Sequence, residues 1–535
     1  MDYWNYLVEC SYFFNYYHMI KCFSDFEPRP FFLKNETSIA DLIGGEYSDL
    51  EESTWNGLFF ISADQKNLMA RIRVPGGRLK SNQLREIGNI ARELTTGYIQ
   101  ITTRCNFQIR FIDAKYAKDL TKRLQDIHLH KVGEGANNVR NLSCSPFAGI
   151  IPEEKIDIFP LVLEWARQVT NDKGLKNLPT KFNMTFYGVG ENPKIESTND
   201  ISVVAIRSNQ KNLYRIILGG SKNGDLGLKI DEDELIPVLS AVVKVYINHK
   251  YLSQRRKTRL KGVLENWNLD SFLVETTKLY GGKLHKSEIL NEHDVLRIPP
   301  QRIGLFPNSK PNLINLGVPT DMGSLNAKQL IDLADIAKLY GDDEIRLTRW
   351  QNIIIPGLRR DKLLHIHKIL EDSGLSTKQS HIKSSMVSCT GSQYCPYSES
   401  DTKKHAAELA KYLESRVELD VPINIHLTGC SNSCAQHYIG DIGLLATSLR
   451  SGNENQPAYH VFVGGSFGKR KSHGRHLYKA LTINKLKIRI ESMLKFYNNM
   501  KKRNETFQEF TSRFETDRLI LMFQSPRKIT NNVKA

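Results

Sequence analysis

Short anchors recur in this chain at one displacement, and that duplication limits the possible folds more than any single motif does. Thr103-Arg104, Ser143-Cys144, Tyr214 and Gly219-Gly220 return as Thr348-Arg349, Ser388-Cys389, Tyr459 and Gly464-Gly465, each 245 positions later. Chance does not hold such a register. Around the anchors the patterns agree as well. Val74-Pro75 precedes Gln83-Leu84, Ile87, Ile90 and Ala91, and Val318-Pro319 precedes Gln329-Leu330, Leu333, Ile336 and Ala337. Both have the spacing of a helix with one apolar face. Each helix is expected to lead through a short turn into a strand, Tyr98 to Ile109 in the first copy and Glu344 to Ile355 in the second, which makes half of a small helix-on-sheet unit.

A longer mixed segment follows each unit, over about 120–290 and 375–515, with a helix expected at Thr402 to Glu414 and a strand at Tyr459 to Val463. The fold class is therefore α+β, internally duplicated about a pseudo-twofold axis. The prolines Pro299-Pro300 and Pro307 to Pro311 mark a linker between the halves, and 520–535 reads as a polar tail. No run approaches the eighteen apolar residues of a membrane helix, and Glu9, Asn15, His18 and Lys21 break the aromatic opening stretch. That stretch also lacks the flanks of a secretory signal, so a reducing compartment, the cytoplasm, is expected. The formal charge of +16 favours anionic partners: nucleic acid, an acidic protein or a polycarboxylate cofactor.

Eight cysteines are sparse over 535 residues, and four of them crowd into one region. Cys389 and Cys395 are separated by five residues, and Cys430 and Cys434 by three, with room between the pairs for one helix and one strand. Only the second copy has the full set. At the corresponding first-half site Cys144 stands alone. Four thiolates suit a [4Fe–4S] cube, since each iron takes one soft sulfur ligand from the protein. Gly391 and Gly429 let the backbone wrap closely and aim N–H groups at sulfur. Structural zinc is the alternative, although paired zinc ligands usually stand two to four residues apart, which the first pair exceeds. A basic nucleic-acid binder with a zinc-stabilised knuckle is the rival of another class, and it would be colourless.

Cys389-Thr-Gly-Ser-Gln-Tyr-Cys395, Leu427-Thr-Gly-Cys430-Ser-Asn-Ser-Cys434 and Asp441-Ile-Gly443 closely resemble the cluster signature of the sirohaem-dependent nitrite and sulfite reductases. The likeness runs from about residue 55 to 515, through Leu68 to Gly76, Thr102 to Gln108, Asn138 to Asn141, Leu178 to Asn183 and Val461 to Gly465. It implies two ferredoxin-like half-domains, 51–118 and 300–372, and two larger mixed α/β catalytic domains, 119–295 and 375–518. Residues 1–50 form an accessory segment and 519–535 a tail. By the same resemblance Cys389, Cys395, Cys430 and Cys434 hold the cube, Cys434 also bridges to the sirohaem iron, and Arg104 holds a ring carboxylate. Arg71, Arg140 and Lys181 surround the bound anion; fixed cations and N–H donors bind a small oxyanion and stabilise the charge that develops on it.

The second position after Lys181 separates substrates in the family: sulfite enzymes resemble one another in a lysine there, and this chain has Asn183. Asn138-Val-Arg-Asn141 is also more like the nitrite type. The expected reaction is assimilatory six-electron reduction of nitrite to ammonium, with sulfite reduction to sulfide as the alternative. An oxygen-using enzyme of corrin biosynthesis shares the fold, but the match to both catalytic halves disfavours it. The chain departs from the family pattern at Thr180, where arginine is common, and at Arg349-Trp350, where a Val-Glu type pair is usual. No Gly-x-Gly-x-x-Gly follows a strand and no flavin signature is present, so electrons are expected from a separate protein, a small acidic ferredoxin. Arg255-Arg256-Lys257, Arg259, Lys261 and Lys469-Arg470-Lys471 either steer that donor or face the ring carboxylates or water. Nucleic acid and membrane are not expected partners, the chain is expected to act as a monomer, and in a photosynthetic eukaryote it would sit in the plastid stroma.

Overall fold

The computed structural model describes residues 57–524 except 62–65, 132, 136, 153–155, 177, 189–197, 208–211, 220–227, 250–258, 285–302, 377–379, 452–453 and 466–472. The accessory segment, Pro299-Pro300 and the residues after Gln524 lie outside that set.

The first half-domain contains β1 (Leu58–Phe60), β2 (Asn67–Ile72), β3 (Arg78–Lys80), α1 (Ser81–Leu94), β4 (Tyr98–Ile101), β5 (Phe107–Asp113) and α2 (Ala117–Asp126). The first catalytic domain follows with β6 (Ser143–Cys144), α3 (Phe159–Asn171), β7 (Met184–Tyr187), β8 (Ile201–Arg207), β9 (Asn212–Leu218), β10 (Ile230–Asp231), α4 (Glu232–Asn248), α5 (Leu260–Asn266) and α6 (Leu269–Tyr280). The second half-domain repeats the first: β11 (Gly304–Pro307), β12 (Leu313–Val318), β13 (Ser324–Asn326), α7 (Ala327–Tyr340), β14 (Glu344–Leu347), β15 (Ile353–Arg359) and α8 (Leu363–Asp372). Last come β16 (Met386–Ser388), α9 (Thr402–Glu414), β17 (Ile425–Thr428), β18 (Ile442–Ser451), β19 (Glu454–Val463), β20 (Arg475–Thr482), α10 (Ile483–Met500), α11 (Phe507–Ser512) and α12 (Thr516–Gln524).

Among the described residues four five-stranded sheets result, and they form two matched pairs. The catalytic sheets run β6-β7-β8-β9-β10 and β16-β17-β18-β19-β20, each with two parallel pairings followed by two antiparallel ones. The half-domain sheets exchange an edge: β13 pairs with β4 of the first copy, and β3 pairs with β14 of the second. Neither half-domain can close its sheet alone. Their apolar faces accordingly merge into one core, in which Leu84, Ile87 and Ala91 of α1 join Leu330, Leu333 and Ala337 of α7. Gly88 allows the two helices to approach, since a Cβ there would stand 2.9 Å from Ile331 and 3.2 Å from the Ala327 carbonyl.

Several expectations need correction. Tyr98 to Ile109 and Glu344 to Ile355 are not single strands but hairpins, β4-β5 and β14-β15. Their turns contain neither glycine nor proline. Cys105 (φ 55°) and Gln351 (φ 63°) take the left-handed region instead, and Thr102 and Thr348 N–H donate to the carbonyls of Asn106 and Asn352. The turns therefore equate Thr103 with Arg349 and Arg104 with Trp350, one residue off the 245-residue displacement. Ser145 N–H donates to Phe186 as Cys389 N–H donates to Leu427, so Ser145, not Cys144, is the counterpart of Cys389. The segment from Pro307 to Pro311 is no linker: Pro307 ends a strand paired with β12. The boundary drawn at 118 cuts through α2, whose Leu120 and Leu124 belong to the half-domain core. The tail begins later than 519, because Leu519, Met522 and Phe523 of α12 are buried in the last domain.

Candidate functional site

The two hairpin turns aim inward. In the first, Asn141 Nδ2 donates to the carbonyls of Val74 and Arg104 (both 2.8 Å), which locks the turn onto the catalytic domain. Thr103 Oγ1 then donates to the Cys434 carbonyl (3.1 Å) in the other half of the molecule. In the second turn Arg349 reaches the opposite way, to Tyr187 and Thr198 of the first catalytic domain. Between the turns lies a cavity of about 470 Å³, walled by Thr103 and Arg104, by Asn141, Lys181, Asn183, Asp200, Arg259 and Lys261, by Arg349, and by Ser433, Cys434, Tyr438 and His473.

Its charge is lopsided. Arg104, Lys181, Arg259, Lys261 and Arg349 face one carboxylate, Asp200, which Arg259 grips with two bonds of 2.9 and 2.5 Å. Arg71 and Arg140 add to the excess. Burial, with Arg104 beside it, pushes Arg71 down to about 10. Burial, Arg104 and Arg71 push Arg140 down to about 9. Burial also lowers Lys181, and Arg104, Arg259 and Arg140 act in the same direction while Cys434 opposes them. Glu134, the nearest buried acid, pairs with Arg73 (3.2 Å) and accepts from Asn106 (2.7 Å). Among the described residues the buried Nε atoms of Arg71, Arg104 and Arg140, and Asn183 Oδ1, have no hydrogen-bond partner. Crowded, unpaired cations of this kind are stable only when anions complete the site.

The four clustered cysteines stand on two interlocked loops. Cys389 directly follows β16, and its Sγ accepts from the Gly429 N–H (3.1 Å) and lies 3.3 Å from Thr402 Oγ1. Burial pushes that thiol up, while Thr402 and the N–H groups of Gly391 and Gly429 pull against the rise. Cys395 N–H donates to Gly391, and Glu399 N–H to Gly429, which ties the first loop to the residue before Cys430. The second loop turns sharply at Ser433 (φ 50°) and Gln436 (φ 56°), on either side of Cys434. Of the four, Cys434 is the cysteine that lines the cavity. Among the described residues no three His, Cys, Asp or Glu side chains converge as a single metal ion requires. The Gly429 N–H aimed at the Cys389 sulfur is the kind of donor that a cluster thiolate accepts.

Of the sequence-proposed residues, Arg104, Lys181, Asn183 and Cys434 line the cavity together; Arg71 and Arg140 do not line it, although Arg71 feels the charge of Cys434 and Cys395. Arg259 and Lys261, read as a possible donor patch, face inward; Arg255 to Lys257 and Lys469 to Lys471 lie outside the described residues. Asp200 was missed. A repeated spacing could have found it, because Asn183 N–H donates to Asp200 (2.8 Å) as Asn424 N–H donates to Asp441 (2.9 Å), seventeen residues on in each half.

Comparison with known families gives two matches, each made twice along the chain. The nitrite and sulphite reductase 4Fe-4S domain matches residues 135–284 and 382–519, and the nitrite/sulfite reductase ferredoxin-like half domain matches 61–127 and 309–373. The chain belongs to the nitrite and sulfite reductase family. It is an oxidoreductase of the duplicated α+β fold of that family, and its cofactors are a [4Fe–4S] cluster and sirohaem. A ferredoxin–nitrite reductase of Leptolyngbya laminosa is 32% identical over 82% of this chain and 88% of its own length. A sulfite reductase [ferredoxin] 2 of Mycolicibacterium paratuberculosis is 27% identical over 89% and 88%. The solved structure of the Mycobacterium tuberculosis NirA protein shares the fold, with a TM-score of 0.81 at 24% identity, covering 90% of this chain and 95% of that one. Among the described residues no helix is long and apolar enough to cross a membrane.

Proposed function

We propose that this family member reduces nitrite to ammonium with electrons from ferredoxin, and that Cys389, Cys395, Cys430 and Cys434 would hold the cluster, with Cys434, on the cavity wall, the one placed toward the space that sirohaem would fill. When bound, the two centres would supply one-electron transfer to the substrate. The remaining work falls to side chains. Arg71 and Arg140, which do not line the cavity, add to the positive field that attracts the anion, while Lys181 on the wall orients it, and the desolvation that lowers Lys181 makes its Nζ a ready proton donor. Nitrite takes up six electrons and eight protons to give ammonium and two waters, so a proton source at the bound oxygen is required. Arg104, with Arg259 and Lys261 behind it, would hold ring carboxylates.

The observation that carries the substrate assignment is Asn183. Its Oδ1 is buried and unpaired beside Lys181 on the cavity wall, where a second lysine would add a cation to a site already crowded with them. A smaller, singly charged anion needs one cation fewer. The relative at 32% identity is named for nitrite, which supports the same reading. Steady-state rates with each anion, using reduced methyl viologen, test it; faster turnover of sulfite overturns it. Asn183→Lys is expected to move the sulfite-to-nitrite ratio of kcat/KM upward by about tenfold, the effect of one added charge-assisted contact. An unchanged ratio removes Asn183 from this role.

For the donor, the net charge of +16 supplies attraction to a small acidic protein. We further propose that the chain acts as a monomer in the cytoplasm, or in the stroma of a photosynthetic eukaryote.

A further inference from the structure

Arg349 differs from the other cations of the cavity in where it comes from and in what it touches. Arg259 is neutralised by Asp200, Arg104 and Lys181 share the wall that carries Cys434, and Lys261 stands beside Arg259 at the start of α5, where it is exposed. Arg349 enters from the second hairpin turn, spans the boundary between domains, and donates Nη1 to the Tyr187 hydroxyl (3.0 Å) and Nη2 to Thr198 Oγ1 (3.1 Å). Both acceptors are neutral. Among the described residues no carboxylate lies within ion-pair distance of this half-buried guanidinium, which nevertheless lines the cavity. A guanidinium carries five N–H donors in a rigid plane, and the two hydroxyls satisfy two of them while fixing the plane's direction.

The pseudo-twofold axis sharpens the point. Thr103, the counterpart of Arg349, uses a short hydroxyl to pin the Cys434 loop. The same position in the second turn carries a long cation into the space that the first turn closes from the other side. One position has diverged into a loop fastener in one copy and a free charge in the other. Nothing in the packing of the turn requires that charge, since Thr348 and Asn352 form it through the backbone.

We propose that Arg349 binds a carboxylate of the tetrapyrrole, a ring contact supplied by the second repeat and oriented by Tyr187 and Thr198. The proposal rests on the cofactor reading above. A planar fork matches a carboxylate with two parallel bonds, and the partly dry setting strengthens them. Charge, and not merely hydrogen bonding, is what the ring would recognise.

Three variants of the full chain, produced with the cofactor available, separate the possibilities: Arg349→Lys, Arg349→Gln and Arg349→Ala. Extracted tetrapyrrole and acid-labile sulfide per polypeptide are measured before and after passage through high salt. Arg349→Gln and Arg349→Ala are expected to lose tetrapyrrole about tenfold faster than the parent while keeping their sulfide, and Arg349→Lys to retain most of it. If Arg349→Gln holds the ring as well as the parent, the side chain serves only as a hydrogen-bond strut and the inference fails. A parent protein with no tetrapyrrole overturns the cofactor reading and this inference together, whereas a coloured parent with unchanged variants overturns this inference alone.

Discussion

Cys434→Ser is expected to leave less than about a thousandth of the wild-type nitrite turnover, a larger loss than the ten- to hundredfold typical of removing a residue that only supports a metal ligand. Cys434 is the one member of the cysteine set on the cavity wall, and the proposed function makes its sulfur the link between cluster and ring. The loop itself should survive the substitution. Thr103 holds it through the Cys434 carbonyl, and the Ser433 and Gln436 turns are backbone features that a Sγ-to-Oγ change leaves alone. The loss would then report sulfur chemistry, because a hydroxyl is a poor ligand for iron in place of a thiolate. Iron, acid-labile sulfide and the visible spectrum are measured with the rate. Cys144→Ala, in the buried strand β6, provides the comparison and should keep its iron. Wild-type turnover and iron content in Cys434→Ser would refute the proposed role.

Glu344→Gln is expected to lower stability by about 3–5 kcal/mol, the range for removing one partner of a buried ion pair. Glu344 joins the exchanged strands: Arg78 on β3 donates to Oε2 (2.7 Å) and Arg346 on β14 to Oε1 (2.5 Å). Arg78 also reaches Asp157 of the first catalytic domain (3.0 Å), and Arg346 the carbonyls of Pro146 and Ala148. With glutamine at 344, the buried Arg346 loses its carboxylate partner and Arg78 keeps only Asp157. Burial alone would raise the Glu344 carboxyl, but Arg346 and Arg78 more than reverse this and hold it at about 2, below the ordinary 4.5. A depressed carboxyl stabilises the fold fully above its unfolded value and ceases to do so as pH falls through the folded one. The wild type should therefore lose this contribution between about pH 4.5 and 2, and the glutamine variant should lack that acid limb. Denaturant midpoints across this window measure both effects, and parallel curves for the two proteins would contradict the assignment.

The site was partly legible in the chain because some of its chemistry is local. Cysteine spacing, neighbouring glycines and the Lys181-x-Asn183 pair are short-range features that survive without coordinates. The hairpins were misread as single strands, since Thr102 to Asn106 contains no turn-forming glycine or proline and Cys105 adopts positive φ under the pull of backbone hydrogen bonds. Arg259 and Lys261 sit in a run of positive charge that reads as surface. Only Asp200, far along the chain, turns Arg259 inward.

Residue order alone was enough for the duplication and the α+β class, which follow from repeated anchors and periodicity, and it brought forward the four clustered cysteines by their spacing. The anion-binding residues came only from the resemblance to the family. The reciprocal exchange of β3 and β13 required the folded molecule. Each is three residues long, too short for any periodicity, and is held by partners more than two hundred positions away. The same holds for the cavity's charge, because whether Arg349 or Arg259 has a counter-ion depends on which distant side chains folding brings within a few ångströms of it.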